Sequence, residues 1–225
     1  MLWLAVFVVL LVSVSVGWRL ASNRASLPCP AWLSWLVELD NPLFRNNRAA
    51  AIIDGLALTQ GMRVLDVGCG PGRLTLPMAR AIGPSGSVVA LDLQAAMLAK
   101  AEAKARAAGL GNIVFRQGAI GSGALDADAV DRATLATVLG EVPDQRAALA
   151  EIFATLKPGG VLAVTELIAD PHFQSSPHVM RLAEAVGFRQ LRRTGGALSY
   201  TLYLERPRAA APHGVEGFAT DKRHR

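Results

Sequence analysis

Residues 64–72 read VLDVGCGPG, and this stretch narrows the folds open to the chain more than any other. A β-rich run, RVLDV, gives way to glycine at every second position, and a helix-forming run, RLTLPMARAI, follows. Glycine permits a tight turn and lets a ligand lie against main chain where a Cβ would collide. Strand, glycine turn and helix in that order form the opening unit of many nucleotide-type folds. The spacing of Gly68, Gly70 and Gly72 is G-x-G-x-G, not the G-x-G-x-x-G of dinucleotide sites, and no Walker lysine follows.

Two acids sharpen the reading. Asp66 lies in the strand end two residues before the first glycine, and Asp92 ends the next β-rich run, VVALD. A carboxylate at the second position can accept from both hydroxyls of a ribose. One at the first would repel a pyrophosphate and suits a cationic ligand. Each acid alone also suits a capping role, Asp66 for the turn and Asp92 for the following helix.

The rest of the chain alternates in the same way. Helices are expected over 46–58, 72–82, 94–108, 144–156 and 176–186, and strands over 63–67, 88–91, 113–117, 130–135, 161–166 and 201–205. GPSG, the glycine at 109, KPGG and the glycine at 187 punctuate them. Strand–helix alternation at this spacing predicts an α/β domain with a mostly parallel sheet covered on both faces. Ligands on such sheets sit outside the carboxyl ends of the strands.

Ahead of this domain the chain runs from Met1 to Trp18 without a charge and then meets Arg19 and Arg24. That length is close to the minimum for a membrane-crossing helix. No basic residue precedes the run and no small-residue cleavage site follows, so it reads as a retained anchor and not a cleaved signal. The flanking arginines place the remainder on the cytoplasmic side. Trp32, Leu33, Trp35, Leu36 and Leu39 then share one stripe of a short helix, packed on the domain or lying in the headgroup region. The expected organisation is an anchor over 1–20, a linker with this amphipathic helix over 21–45, the α/β domain over 46–206 and a basic tail over 207–225.

Charge and cysteine usage exclude several classes. Of the net charge of +5, the segment from Arg206 to Arg225 contributes +3, five basic residues against two acids. A tail of that kind is solvated disorder or a contact for an anionic surface, and the remaining chain carries only +2, which gives little support to a nucleic-acid partner. Cys29 and Cys69 are the only cysteines. Two do not make a disulfide framework, and a reducing compartment fits.

The segments VLDVGCGPGRLTLPMAR, GSVVALDLQAAMLAKAEAKARAAGLGNIVFRQGA and VLGEVPDQRAALAEIFATLKPGGVLAVTE together resemble class I S-adenosylmethionine-dependent methyltransferases. LKPGGVLAVTE and GFRQLRRTGGALSYTLYLE are most similar to the branch acting on quinones, sterols and phospholipids. The resemblance implies a Rossmann-like, doubly wound, mostly parallel seven-stranded sheet, here preceded by a transmembrane helix. It implies S-adenosylmethionine as cofactor, with Gly68, Cys69, Gly70 and Gly72 beneath its methionine and ribose portions. Asp66 would meet the methionine amino group, directly or through water, and Asp92 the ribose hydroxyls. Leu93 and Met97 would flank adenine, with Gln117, Gly118 and Ala119 at its edge. Ala119 is a departure, because the family commonly has an acid there to accept from the adenine amino group.

Methyl transfer from a sulfonium needs alignment above all, and a base only where the acceptor must lose a proton. Glu141, in TLATVLGEVPD, is a charged group in the segment that the family turns toward its substrate; it is a substrate contact or a structural acid. His172, and less directly His178, could reach the same mouth, or be solvated loop residues. Their spacing without a third ligand argues against a metal. That same segment lacks the Asn/Asp-Pro-Pro-aromatic tetrad used on amide and base nitrogens, which disfavours nucleic-acid substrates. The expected function is a membrane-tethered methyltransferase of a lipophilic small molecule or lipid. The alternatives are a methyltransferase of a membrane protein, a non-catalytic adaptor on the same fold and an NAD-dependent oxidoreductase.

Overall fold

The computed structural model describes Glu38 and residues 44–123, 125–127 and 130–208. The expected anchor, the stripe of tryptophans and leucines, and all but the first two residues of the expected tail lie outside the described residues. Among those described, no helix is long and apolar enough to cross a membrane.

Seven strands form one sheet in the order β3-β2-β1-β4-β5-β7-β6. They are β1 (Arg63–Val67), β2 (Ser87–Asp92), β3 (Ile113–Gln117), β4 (Val130–Ala136), β5 (Leu156–Leu167), β6 (Arg189–Gly195) and β7 (Ser199–Glu205). The first five are parallel, and β7 runs antiparallel between β5 and β6. This is the expected Rossmann-like α/β sheet. The chain winds outward from β1 to β3 and then returns to lay β4 on the other side of β1. Strand order therefore reverses between β1 and β4, where such sheets open a crevice.

Helices α1 (Ala49–Leu56), α2 (Thr75–Ile82) and α3 (Ala95–Ala107) cover one face, and α4 (Gln145–Thr155) and α5 (Ser176–Val186) the other. Strand alternation sorts the core accordingly. Val64, Val88, Ala163 and Tyr203 pack with Ile52, Leu56, Met78 and Ile82, while Leu65, Leu135, Leu162, Val164 and Leu202 pack with Leu149, Ile152, Val179 and Ala183.

Strand β5 starts at Leu156 and not at 161, running through the KPGG expected to break the chain, and three other elements differ from expectation for a local reason. Helix α2 begins at Thr75 and not at 72, because Gly72 has φ +91° and cannot be helical; a Cβ there would press on Leu76 and Ala101. Helix α1 begins at Ala49, because residues 45–47 form a 3-10 turn and Arg48 is extended. Strand β6 was not expected at all. Its RQLRRTG has no apolar alternation because it is the exposed sheet edge, with Arg192 and Arg193 laid over the rings of Tyr203 and Tyr200.

Candidate active site

The register of the central strands places the ends of β1, β2 and β3 side by side: Val67 is opposite Leu91, and Asp92 opposite Gln117. Directly after β1 the chain turns sharply at Gly68, φ +65°. The amides of Gly68 and Cys69 both donate to the Leu91 carbonyl, at 2.8 and 3.0 Å. Any Cβ on Gly68 would run into the Val138 side chain, so the segment after β4 also leans on this turn.

Asp92 fixes the turn from the neighbouring strand. Its Oδ2 accepts from the Gly70 amide and its Oδ1 from the Gln94 amide, both at 2.8 Å. The carboxylate is 8% exposed. Each oxygen has a lone pair to spare after those bonds. The group is therefore positioned by backbone alone, with acceptor capacity left on each oxygen for a pair of ligand hydroxyls.

Asp66 works from behind. It is buried, and its two oxygens accept from Thr75 Oγ1 at 2.5 Å and Thr134 Oγ1 at 2.6 Å. Its carboxyl thereby ties β1 to the start of α2 and to β4 beneath the glycine turn. Burial raises its pKa, against the two hydroxyls and the charge of Arg73, which pull it down. Cys69 is buried beside it, and its thiol is pushed up by burial first and then by the carboxylates of Asp66 and Asp92; it is a packing group and not a nucleophile.

The rim beyond Asp92 is formed by β3 and the start of α3. Leu93 is 57% exposed. Gln117 Nε2 donates to the Leu93 carbonyl at 3.2 Å, and the Gly118 amide donates to the Asp92 carbonyl at 3.0 Å. Gln117 and Ala119 are exposed, so this rim presents an apolar side chain and peptide groups. Met97 does not join it at the surface; it is buried under the first turn of α3.

On the other side of the switch point, β4 and β5 end in a second cluster. Glu141 closes a short 3-10 turn, Leu139–Glu141, after β4. His172 lies in the loop after β5, buried, with Nδ1 3.8 Å from Glu141 Oε1 and 3.8 Å from Asp170 Oδ1. The two segments touch closely: a Cβ on Gly140 would overlap the His172 carbonyl. Glu166, near the end of β5, is 1% exposed; its Oε2 accepts from the Gln174 amide at 3.0 Å. Burial, reinforced by the carboxylates of Asp170 and Glu141 and opposed by the Gln174 amide, pushes Glu166 up to about 8. Glu166 Oε1 and both ring nitrogens of His172 are buried without a hydrogen-bond partner.

The fold brings Glu141 and His172, both singled out from the sequence, together with Glu166 and Asp170, which were not. A signal for Glu166 was present: it falls in register with Leu162 and Val164 on the core-facing side of β5, where a charged residue is out of place. His178 stands apart, on α5, engaged with Gln145 and Arg181. Among the described residues no group of three or more His, Cys, Asp or Glu side chains is arranged to hold a metal.

Residues 58–193 match the family model described as a methyltransferase domain. The chain is 37% identical over 106 residues to a demethylmenaquinone methyltransferase of Lactococcus lactis, an alignment covering 47% of this chain and 42% of the relative. It is 34% identical over 148 residues to an arsenite methyltransferase of Aquipseudomonas alcaligenes, covering 63% and 43%. The chain thus spans less than half the length of these two curated relatives. Its fold is similar to that of a SAM-dependent methyltransferase from Aquifex aeolicus, with TM-score 0.69 and 23% identity over 79% of this chain and 98% of that one.

Proposed function

This chain belongs to the methyltransferase-domain family, and from that premise we propose that it transfers a methyl group from S-adenosylmethionine to a lipophilic small molecule or lipid at a membrane surface. The observation that carries the cofactor assignment is Asp92. It is buried, held by the Gly70 and Gln94 amides, and has acceptor capacity left on both oxygens. That donor set fits the cofactor: Asp92 accepts from the ribose hydroxyls, exposed Leu93 offers an apolar face to adenine, and the peptide groups around Gln117 and Gly118 meet its edge. With alanine at 119, adenine recognition rests on main chain.

S-Adenosylmethionine supplies a methyl group already activated on a sulfonium, with a neutral thioether as leaving group. What remains for the protein is to orient the acceptor and exclude water, and alignment of this kind can lower a barrier by several kcal/mol. The glycine turn serves that purpose because it is braced on three sides, by Asp66 behind, Asp92 beside and Val138 across.

The lipophilic acceptor is supported by two things: the named substrate of the Lactococcus relative, a quinone, and the uncharged run from Met1 to Trp18. An apolar acceptor resides in the bilayer, and a tethered domain meets it there. Arg19 and Arg24 after the run put the domain on the cytoplasmic side.

The test is transfer of labelled methyl into a membrane extract of the source cell, separated into lipid, protein and RNA. Label is expected in the lipid fraction and is lost with Asp92→Ala. Label in the protein fraction would replace this reading with methylation of a membrane protein. Failure of the wild type to bind S-adenosylmethionine by calorimetry would overturn the enzyme assignment.

A further inference from the structure

The cluster after β4 and β5 contains more than methyl transfer alone requires. Three segments bring four titratable side chains together: Glu141 from the turn after β4, Glu166 from β5, and Asp170 and His172 from the loop after β5. Two of them are more than nine-tenths buried and have polar atoms with no partner, Oε1 of Glu166 and both ring nitrogens of His172. Buried polar atoms in native proteins are paired, so unpaired ones mark the place of a water, an ion or a ligand group. No metal arrangement is present among the described residues, and the cluster lies at the ends of β4 and β5, across the strand-order reversal from Asp92. One segment links the two groups directly: Gln174 gives its amide to Glu166 and its side-chain Nε2 donates to the His172 carbonyl.

We propose that His172 and Glu166 form an acceptor-activating pair: the acceptor brings an ionisable hydroxyl of phenol or hydroquinone type between them, His172 takes its proton and Glu166 binds its oxygen. This rests on the methyltransferase reading above and names the class of acceptor for it. The balance closes. The acceptor O–H bond breaks and an N–H bond forms on His172. The bond from acceptor to methyl forms as the S–CH3 bond breaks, and the thioether leaves neutral. The positive charge of the sulfonium thus ends as a proton on His172 and passes to solvent.

The surroundings suit both roles. Glu141 and Asp170 each hold a carboxylate oxygen 3.8 Å from Nδ1 of His172. The other charged or titratable groups on the packed elements are turned to different partners: Tyr200 of β7 donates to the Gln174 carbonyl, Arg193 of β6 lies over the Tyr200 ring, and His178 and Arg181 of α5 bond each other. Glu166, held up to about 8 by burial, is a neutral carboxylic acid at neutral pH, able to donate from Oε1 to a phenolate oxygen.

Two probes separate the proposal from the reading beneath it: 1,4-dihydroxynaphthalene, whose hydroxyl must lose a proton, and 4-nitrocatechol, already ionised at mildly alkaline pH. The full chain in detergent is compared with His172→Ala, Glu166→Ala and Glu166→Gln. Cofactor affinity by calorimetry is expected to be unchanged in all four, which shows them folded. His172→Ala should lower turnover of dihydroxynaphthalene by roughly 10²- to 10⁴-fold, the range for loss of a general base, and leave that of nitrocatechol within the same order. Nitrocatechol bound at a pH where it is neutral in solution should show phenolate absorbance with wild type and not with His172→Ala. Glu166→Ala should weaken acceptor binding, and Glu166→Gln, which restores a donor, should recover it. Equal losses on both probes, no loss on either, or a wild type that binds the cofactor but methylates neither phenol would each overturn the pair. If the wild type does not bind the cofactor, the methyltransferase reading itself falls.

Discussion

Replacing Glu166 by glutamine should make the protein more stable at alkaline pH. The carboxyl has its ordinary pKa of 4.5 in the unfolded chain and one near 8 in the folded one. Between those values the folded state binds a proton that the unfolded state does not. Stability from this group is complete below 4.5 and is lost as pH rises through 8. Each unit of separation corresponds to about 1.4 kcal/mol, so the whole window is worth about 5 kcal/mol. Glutamine keeps the side chain's shape, and its carbonyl can still accept from the Gln174 amide, but it has no charge to acquire.

Urea denaturation of wild type and Glu166→Gln, followed by circular dichroism at matched pH in one detergent, measures the effect. The stability difference should be small at acid pH and open in favour of glutamine as pH rises from 4.5 to 8. Other raised carboxyls, Asp66 among them, are common to both proteins and drop out of the difference. A difference that stays flat across this range, or opens in favour of the wild type, would show that Glu166 is not held neutral by burial in the folded state.

Three further substitutions probe the two halves of the site. Gly68→Ala forces a Cβ into Val138 at φ +65° and should cost about 1–3 kcal/mol of stability, together with most of the affinity for S-adenosylmethionine measured by calorimetry. Thr134→Val removes one of the two hydroxyls on buried Asp66 and should lower the unfolding free energy by about 1–3 kcal/mol, with Thr134→Ser recovering most of the loss. Gly140→Ala pushes residues 139–141 off the His172 carbonyl, so methyl transfer should fall while calorimetric affinity for the cofactor is retained.

Much of the fold could be read from residue order because the local signals agreed. The runs RVLDV and IVFRQ end where β1 and β3 end, and Gly187, with φ +112°, stops α5 directly after Val186. Where one residue served two purposes, the reading slipped. Gly72 looked like the first residue of a helix, yet it turns the chain before the helix begins. Strand β6 was invisible because an edge strand needs no apolar face: Arg192 and Arg193 lie over tyrosine rings contributed by β7, and Arg189 pairs with Glu205. The glycines made the turn after β1 legible, because backbone constraints show in composition. The coupling of Asp66 to Thr75 and Thr134 was not legible, since it joins three elements that only folding brings together.

The two halves of the site differ in how far they are finished, and that follows from what each must meet. The cofactor half is set by main chain: the Gly68 and Cys69 amides on Leu91, the Gly70 and Gln94 amides on Asp92, and the Gly118 amide on the Asp92 carbonyl. Those bonds are made before any ligand arrives, so little ordering remains to oppose binding. The half proposed for the acceptor is set by side chains, on β5 and on the segments that follow β4 and β5, with Glu166 Oε1 and the His172 nitrogens lacking partners. Leaving buried polar atoms unpaired is costly, and on the pairing proposed above an acceptor hydroxyl recovers that cost by supplying the missing partner. An acceptor lacking a hydroxyl of the right kind cannot supply it, whatever its apolar bulk. On the pairing proposed for His172 and Glu166, selectivity on this side arises from the bonds their unpaired atoms can still make, whereas affinity on the other arises from those the turn already has.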